Sequence, residues 1–311
     1  MLDAISILLP VYNWPVGELL TDLHRQAAAE PGLKFEILAF DDASPDLAQR
    51  AANRTAVAGL SGGRYHELPQ NVGRAAIRNQ LARAARHPWL LFLDGDSGLP
   101  DAQFLQRYRA AVATDVTTAV WIGGTAYDPK FPADPRLRLR WAYGRDREQR
   151  PAEARRRTPY AAFTLNNLLI QADVYARVGL NESLGRTYGH EDTVFGGALA
   201  AAGLSVGHLD NPVLHLGLEP APVFRQKTVE AVANLVRLAQ ASQPGATASG
   251  LWRLAQQLHR TGAAGVTRHL LSALEPRLLR NLDSGAPSLY AFDAWRLLLT
   301  LRLIGTAENT R

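Results

Sequence analysis

Short apolar runs alternate with helix-like segments along the first hundred residues of the chain. The apolar runs are strand-like and lie at residues 4–9, 35–40, 64–68 and 89–93. The segments between them have a helical pattern at residues 16–29, 45–58 and 72–86. Strands separated by helices are joined by right-handed crossovers and pair mostly in parallel, with helices on both faces of the sheet. This half of the chain is therefore expected to be an α/β unit.

The pattern is mixed from residue 98 to about 217, and the strand signals stop after residue 220. In the mixed part we expect helices at 101–113, 171–177 and 193–202, and extended segments at 119–123, 161–170 and 205–215. Helical periodicity then occupies 223–240, 249–260, 266–274 and 289–304, with Gly, Ser and Pro breaks near 242–250 and 283–288. The expected organisation is an α/β part in two halves, 1–97 and 98–219, followed by a helical extension at 220–311.

Polar residues follow three of the predicted strands at the point where each strand ends. They are Tyr12-Asn13, Asp41-Asp42 and Asp94-Gly95-Asp96. Ligands of open α/β sheets bind beyond the carboxyl ends of the strands, so these side chains are expected to converge on one crevice.

Asp94-Gly95-Asp96 is the sharpest of these features. Two carboxylates on a tight turn suit a hard divalent cation that also binds diphosphate oxygens, although the same three residues also occur in plain turns. A second acidic strand end, Asp41-Asp42, favours a site for a nucleotide and its metal ion.

Two further segments have both a structural and a functional interpretation. Asn71 is a candidate N-cap for a helix on which Arg74 and Arg78 share a face, which suits either a phosphate or an ordinary surface helix. Glu191-Asp192, next to His190, begins a small-residue helix and is either a helix cap or a catalytic acid pair. His215, which ends an extended run, is either structural or a nitrogen ligand for a metal.

Charge is concentrated in one segment. The chain has 34 Lys and Arg against 29 Asp and Glu, and nine of the Arg lie between Arg136 and Arg157, with only three acidic residues. That segment has a local charge of +6, and the rest of the chain is near neutral, which argues against a general nucleic-acid binder. The segment is either a solvated mobile loop or a patch that faces phosphates, an acidic acceptor or anionic lipid.

Composition is that of a folded globular protein, with 47% apolar and 20% charged residues. The sequence has no cysteine, which excludes disulfides and thiolate chemistry and leaves oxygen and imidazole as metal ligands. The first residues lack a signal-peptide pattern, and residues 289–304 are too short and too charged to span a bilayer. We therefore expect a cytoplasmic protein.

Taken together, the motifs resemble those of the family 2 glycosyltransferases of the GT-A fold, over residues 4–217. The elements that carry the resemblance stand in the family's order: Pro10-Val11-Tyr12-Asn13, Asp41-Asp42-Ala43-Ser44, Asn71-x-Gly73 with Arg78-Asn79, Asp94-Gly95-Asp96, Glu191-Asp192 and His215. The resemblance implies a Rossmann-like, mixed and mostly parallel sheet flanked by helices. Residues 1–97 would be its nucleotide-sugar-binding half and residues 98–219 its acceptor-binding and catalytic half.

Roles can be carried over from the family position by position. The implied nucleotide contacts are Pro10, Tyr12, Asn13, Asp41, Asp42, Asn71, Arg78 and Asp94. The implied metal contacts for Mn²⁺ or Mg²⁺ are Asp94, Asp96 and His215. The implied catalytic base is Asp192, and Glu191 would either bind the acceptor or support Asp192. The implied acceptor contacts are Asn166, Asn167, Tyr188 and His190.

The implied activity is transfer of a sugar from a nucleoside diphosphate, with UDP as the expected donor nucleotide, to a hydroxyl of a glycan or lipid-linked acceptor. A single base with in-line attack predicts inversion at the anomeric carbon. Closure of the 136–157 segment is expected to exclude water. The main alternative is a non-catalytic nucleotide-sugar or glycan-binding module of the same fold. A nucleotidyltransferase or a dinucleotide-dependent dehydrogenase would need a Gly-rich loop after the first strand, where this chain has Pro10-Val11-Tyr12-Asn13-Trp14.

The helical extension lies outside the resemblance. It is expected either to pack on the α/β part or to form a dimer. The alternative is peripheral docking at the inner face of a membrane through Trp252, Trp295 and the Leu-rich run at 297–304. The sequence leaves the oligomeric state open.

Overall fold

The structure is a computed structural model, and it describes residues 1–161 and 163–308. Within these residues the strands are β1 (Ala4–Val11), β2 (Lys34–Asp41), β3 (Gly63–Glu67), β4 (Trp89–Phe92), β5 (Ser97–Gly98), β6 (Val120–Ile122), β7 (Thr125–Ala126), β8 (Leu168–Gln171), β9 (Gly207–His208) and β10 (Val213–His215). The first eight helices are α1 (Gly17–Ala29), α2 (Leu47–Ala58), α3 (Arg74–Ala84), α4 (Phe104–Thr114), α5 (Arg138–Tyr143), α6 (Ala152–Arg156), α7 (Ala172–Val178) and α8 (Glu191–Ala201). The extension adds α9 (Ala221–Gln240), α10 (Gly250–Arg260), α11 (Ala264–Leu282) and α12 (Leu289–Glu308).

The main sheet has the strand order β3-β2-β1-β4-β8-β6-β9. β1 pairs in parallel with β2 and β4, and β2 with β3, whereas β8 runs antiparallel to β4 and β6. The expected mixed, mostly parallel sheet is confirmed. Alternate residues of β1 enter two apolar clusters, with Ile5 and Ile7 in one and Leu8 in the other. Because the side chains of a strand alternate between faces, the sheet is covered on both sides.

A small second sheet joins two distant parts of the chain. Its strand order is β5-β10-β7, and His215 of β10 is paired with Ser97 of β5 in antiparallel register. This pairing brings the residues after β4 beside the end of β10.

The Arg-rich segment is not the loop that its composition suggested. It forms α5, a π-helical turn at Gly144–Glu148, and α6. Leu139 is buried with Phe224, Phe292 and Trp295, which belong to α9 and α12. Arg155 is also buried, and its guanidinium donates to the backbone carbonyls of Ile122, Gly123 and Leu209. Apolar packing and satisfied hydrogen bonds thus fix a segment whose charge resembled that of a solvated loop.

Other differences from the sequence pattern are small. The run at 161–170 becomes a strand only from Leu168, and Ala162 within it lies outside the described residues. The run at 205–215 divides into β9 and β10. α11 continues past the expected end at 274 and through Pro276. The last three residues of the predicted extension, 309–311, lie outside the described residues.

The extension is helical, as expected, and its tryptophans are packed inside the protein. Trp295 is buried beside Phe292, and Trp252 packs against residues of α9 and α12. The two rings proposed for membrane docking are therefore engaged in the fold. No helix within the described residues has the length and apolar character that crossing a membrane requires.

Candidate active site

A cleft of about 440 Å³ lies where the loop after β4, the start of α3, the start of α8 and β10 meet. α5 with the turn after it, and helices α9 and α12, contribute to its remaining walls. Asp94, Asp96, Glu191, Asp192 and His215 all line it. The fold thus gathers the predicted metal-binding and catalytic residues, which are far apart in the sequence, in one cavity.

Asp96 and His215 form one end of the cleft. The His215 Nδ1 atom lies 3.6 Å from Asp96 Oδ2, and the Leu216 backbone N–H donates to the Asp96 carbonyl at 2.8 Å. The other carboxylate oxygen, Asp96 Oδ1, is buried and receives no hydrogen bond from any described residue. Burial raises the pKa of the Asp96 carboxyl, and the nearby charge of Asp94 adds to this, while His215 opposes it. An unpaired buried carboxylate oxygen needs a partner, and a cation would provide one.

Asp94 is held differently from Asp96. Its Oδ1 forms an ion pair with the buried guanidinium of Arg78, which also donates to the Arg74 carbonyl at 3.0 Å. The Asp94 backbone N–H donates to Asn166 Oδ1 at 3.0 Å. Arg78 and Asn166 thus fix the position of Asp94. Arg78 does not line the cleft itself, and it acts there only by holding Asp94, which does.

The donor atoms of Asp96 and His215 fit a divalent cation whose coordination shell is completed by oxygen atoms of the substrate. No group of three His, Asp or Glu side chains able to hold a metal is present among residues 1–161 and 163–308. Mg²⁺ is usually held by one or two carboxylates together with substrate phosphates, so a complete protein cage is not required. Asp96 Oδ1 and the His215 ring beside it are side chains of the cleft that could hold such an ion.

Gly217 provides a test of this geometry, because a Cβ at this position would lie 2.2 Å from Asp96 Oδ2. We expect Gly217→Ala to displace the Asp96 carboxylate and to weaken Mn²⁺-dependent binding of UDP about tenfold, the scale seen when groups supporting a metal ligand are lost. Calorimetric titration measures the affinity. Gly250→Ala, at a site with open space for a Cβ, is the matched control. Unchanged UDP affinity in Gly217→Ala would contradict the placement of the metal at Asp96.

The acid pair begins α8 at the next wall of the cleft. Gly189 and His190 both have a positive φ, 97° and 75°, and this turn starts the helix at Glu191. Burial raises the pKa of Asp192 to about 7, and the charges of Glu191 and Asp94 contribute. A carboxylate with this pKa can accept a proton near neutral pH, which is what a general base requires.

His190, which precedes the acid pair, is kept neutral. Burial lowers the pKa of His190 to about 4, and the charge of Arg296 acts in the same direction. Its Nδ1 lies 3.1 Å from the Thr193 hydroxyl. As a neutral, hydrogen-bonded ring it lines the cleft without adding charge beside Asp192.

Most of the predicted nucleotide contacts lie outside the lining of this cleft, in the loops after β1 and β2. Asp41 is wholly buried and accepts hydrogen bonds from the Ser44 N–H and hydroxyl and from the Tyr65 hydroxyl. Asp42 accepts from the backbone N–H groups of Val72 (2.7 Å) and Gly73 (3.1 Å). Both carboxylates therefore stabilise loops and do not point freely into solvent.

The remaining predicted nucleotide residues surround these loops. Pro10 is the penultimate residue of β1 and pairs with Phe40, and Tyr12 is exposed over 55% of its surface. The Asn13 N–H donates to the Ser44 hydroxyl, and the Asn71 amide donates to the Asp42 carbonyl. These hydrogen bonds join the loops after β1, β2 and β3, and Asn71 lies three residues before Arg74, which lines the cleft.

The expected N-cap of α3 at Asn71 is wrong. The cap residue is Gly73, with a φ of 90° and no side-chain cap. A Cβ at Gly73 would lie 2.6 Å from the carbonyl oxygen of Gly185, so glycine permits both the turn and the close approach of the two segments.

The four predicted acceptor residues have different environments. Asn166, Tyr188 and His190 line the cleft, and the Tyr188 ring lies 4.7 Å from the Arg74 guanidinium and 5.0 Å from the Lys227 ammonium. Asn167 is wholly buried, and its amide donates to the carbonyls of Gly124 and Asn211. Asn167 therefore supports the wall from behind and does not face a ligand.

The structure adds cleft residues that the sequence did not single out. Arg140 is buried, donates to Glu148 at 3.1 Å and lies 3.4 Å from the Nε2 atom of His215. Its Nη1 atom is buried without a partner among the described residues. The high density of Arg at 136–157 was the only sequence signal for Arg140, and it could not show which of these guanidinium groups faces the cleft. Phe224, Lys227 and Arg296 come from the extension, which the motifs do not cover.

The cleft thus combines acidic side chains that follow a strand of the mostly parallel sheet with a buried acid pair and several arginines on its other walls. The model of glycosyl transferase family 2 matches residues 6–168, more than half of the chain, and the chain belongs to this family. The resemblance seen in the motifs is thereby confirmed. No curated protein sequence matches the chain closely enough to be a relative.

Solved structures with the same fold are distant in sequence. The mannosyltransferase PcManGT from Pyrobaculum calidifontis, in complex with GDP-Man and Mn²⁺, is 15% identical with a TM-score of 0.59, over 95% of this chain and 85% of that one. S. aureus TarS 1-349 in complex with UDP-GlcNAc is 15% identical with a TM-score of 0.51, over 96% and 91%. In its complex with UDP, TarS 1-349 is 16% identical with a TM-score of 0.49, and the match covers 75% of this chain but only 65% of that one. The first two likenesses, with TM-scores above 0.5, confirm the fold.

Proposed function

We propose that the protein is an inverting, metal-assisted glycosyltransferase that moves a sugar from a UDP-sugar to a hydroxyl of a glycan or lipid-linked acceptor. The observation that carries the proposal is the pairing, in one cleft, of Asp192, whose pKa is raised to about 7, with Asp96, whose buried Oδ1 is unpaired. A binding module needs no base poised at neutral pH. The complexes of PcManGT with GDP-Man and Mn²⁺ and of TarS with UDP-GlcNAc support a nucleotide-sugar donor and a divalent metal.

The diphosphate of the donor would lie against Asp96, His215 and Arg140. Asp96 and His215 would hold Mn²⁺ or Mg²⁺, which neutralises charge on the leaving diphosphate when bound. Arg140 brings a buried guanidinium to the same place, with one N–H group unused. Charge-assisted hydrogen bonds from such a group stabilise phosphate oxygens.

Asp192 would take the proton of the acceptor hydroxyl. As this proton transfers to the carboxylate, the acceptor oxygen forms a bond to the anomeric carbon, and the bond from that carbon to the diphosphate breaks with its electron pair going to the diphosphate oxygen. Glu191 keeps the proton affinity of Asp192 high through its charge. Attack opposite the leaving group inverts the anomeric centre.

The activity is tested with UDP-GlcNAc, UDP-glucose and GDP-mannose in the presence of Mn²⁺ and a panel of glycan acceptors. Transfer is followed by release of the nucleoside diphosphate and by mass spectrometry of the product. Acceptor-dependent release with one of the donors, absent in Asp192→Asn, is the result we expect. Binding of donor with no transfer to any acceptor would favour the non-catalytic module.

Arg140→Gln is expected to weaken UDP binding by about tenfold or more, because a charge-assisted hydrogen bond to phosphate is lost. Uridine, which has no phosphate, should bind equally well to wild type and variant. Arg136→Gln is the control, because Arg136 is an exposed residue of the same segment and pairs with Asp134. Equal losses for UDP and uridine would show that Arg140 supports the wall and does not contact the diphosphate.

A further inference from the structure

Three arginine residues, from the turn after α5, the segment that follows it and α12, line the cleft. Arg147 belongs to the π-helical turn after α5, Arg150 follows that turn, and Arg296 lies on α12. We call these three residues the basic rim. The proposed function uses none of them.

Carboxylates outside the cleft hold two members of the basic rim. The Asp293 carboxylate pairs with Arg147 at 2.9 Å and with Arg296 at 3.5 Å, and Asp146 pairs with Arg147 at 3.1 Å. Neither Asp146 nor Asp293 lines the cleft, whereas both arginines do. The carboxylates therefore orient the guanidinium groups, and the side presented to the cleft is cationic.

The basic rim reaches the acid pair through Arg296. The charge of Arg296 acts on His190, which directly precedes Glu191-Asp192, and the Asp293 carboxylate joins Arg296 to Arg147. Tyr143 and Phe292, whose rings contact each other in an edge-to-face arrangement, line the same cleft. A group bound at Arg296 therefore lies in the cavity that also holds Asp192, where an acceptor hydroxyl must lie.

Resting on the proposed function, we infer that the basic rim binds a phosphate or carboxylate group of the acceptor, so that the acceptor is anionic. The guanidinium group matches both anions with paired N–H donors. With a neutral glycan, Arg150 and the cleft-facing sides of Arg147 and Arg296 would have no ligand charge opposite them. The Arg-rich segment thus contributes to both substrates, with Arg140 toward the donor and Arg147 and Arg150 toward the acceptor.

The experiment uses the full chain saturated with UDP and Mn²⁺, so that the diphosphate position is filled. Binding of glycerol 3-phosphate, glucuronate, glycerol and glucose is then measured by saturation-transfer NMR and calorimetry. We expect at least one of the two anions to bind and both neutral compounds to fail. Preference for glycerol 3-phosphate identifies a phosphate-bearing acceptor, and preference for glucuronate identifies a carboxylate-bearing one.

Arg296→Gln and Arg147→Gln should each weaken binding of the preferred anion about tenfold, while UDP affinity stays unchanged. Arg296→Lys retains the charge and should recover part of the affinity, and Arg136→Gln should have no effect. If wild type fails to bind UDP, the proposed function fails. If UDP binds but the anions bind no better than glycerol and glucose, or if the rim variants match Arg136→Gln, the inference of an anionic acceptor is wrong.

Discussion

Replacing Asp192 with Asn is expected to lower the rate of sugar transfer about a thousandfold, the scale of a lost general base. Asn has nearly the same shape but cannot accept the proton of the acceptor hydroxyl. Because Asp192 is assigned to the acceptor hydroxyl and not to the diphosphate, UDP affinity should stay within about twofold of wild type, a difference well below that of one lost charged hydrogen bond. Steady-state kinetics with the identified donor measure the first quantity and calorimetry the second.

The pH dependence of transfer gives a second readout of the same residue. The pKa of Asp192 is raised to about 7, so the active carboxylate form is lost as pH falls below 7 and transfer should decline with it. Glu191→Gln removes a charge that raises this pKa, so the midpoint of the profile should move to lower pH. A profile that is flat between pH 5 and 8, or that keeps its midpoint in Glu191→Gln, would contradict the assignment.

Stability provides the control for folding of Asp192→Asn. The pKa of the Asp192 carboxyl is near 3.8 in the unfolded chain and is raised to about 7 in the folded protein. Between these two pH values the folded protein keeps a proton that the unfolded chain has released. The free energy of unfolding therefore falls as pH rises from 3.8 through 7. Asn removes this penalty. We therefore expect Asp192→Asn to have a higher Tm than wild type at pH 8 and a similar Tm at pH 3.5. A lower Tm at pH 8 would show that the kinetic loss reflects misfolding.

Replacing Asp96 with Asn is expected to abolish the Mn²⁺ dependence of UDP binding. The substitution removes the buried carboxylate charge with little change in side-chain volume. Mutating residues that only support a metal ligand lowers metal affinity by up to about a hundredfold, so loss of a ligand itself should lower the Mn²⁺ affinity of the UDP complex by at least that much. Manganese EPR measures the bound ion directly. Transfer should fall with it, because charge on the leaving diphosphate is no longer neutralised.

The matched control for Asp96→Asn is Asp101→Asn. Asp101 lies a few residues further along the same loop region, is exposed and pairs with Arg107 outside the cleft lining. We expect wild-type Mn²⁺ affinity in this variant. Retention of tight Mn²⁺ binding in Asp96→Asn would place the metal elsewhere, and the role of His215 would then need a different explanation.

The first half of the fold was predictable because its strands are short apolar runs bounded by turn residues. β1, β2 and β4 lie within a residue or two of the expected positions, since burial on both faces produces a continuous apolar pattern. The region after β4 was harder. Its strands β6, β9 and β10 have only two or three residues, too few to show a period. α5, within 136–157, packs against α9 and α12, and local sequence does not encode such a contact.

The candidate site divides in the same way. Asp96, Glu191, Asp192 and His215 carry recognisable chemistry in recognisable positions, and the fold brings them to one cleft. The motifs did not reveal that Asn167 points into the core, or that the Asp41 carboxylate accepts hydrogen bonds from Ser44 and Tyr65 and is thereby buried in the fold. Both facts depend on side-chain direction, which follows from tertiary contacts. The contribution of Arg296 was equally hidden, because it depends on α12 returning to the α/β part.

Calorimetric titration of the wild-type protein with UDP, in the presence and absence of Mn²⁺, measures the proposed donor site itself. In that site, Asp96 and His215 are proposed to bind the nucleoside diphosphate through a divalent cation. We predict saturable binding with one UDP per chain when Mn²⁺ is present, and at least about tenfold weaker binding without it, the loss expected when a charged phosphate contact is removed. Absence of binding with Mn²⁺, for UDP and for GDP alike, would contradict the account.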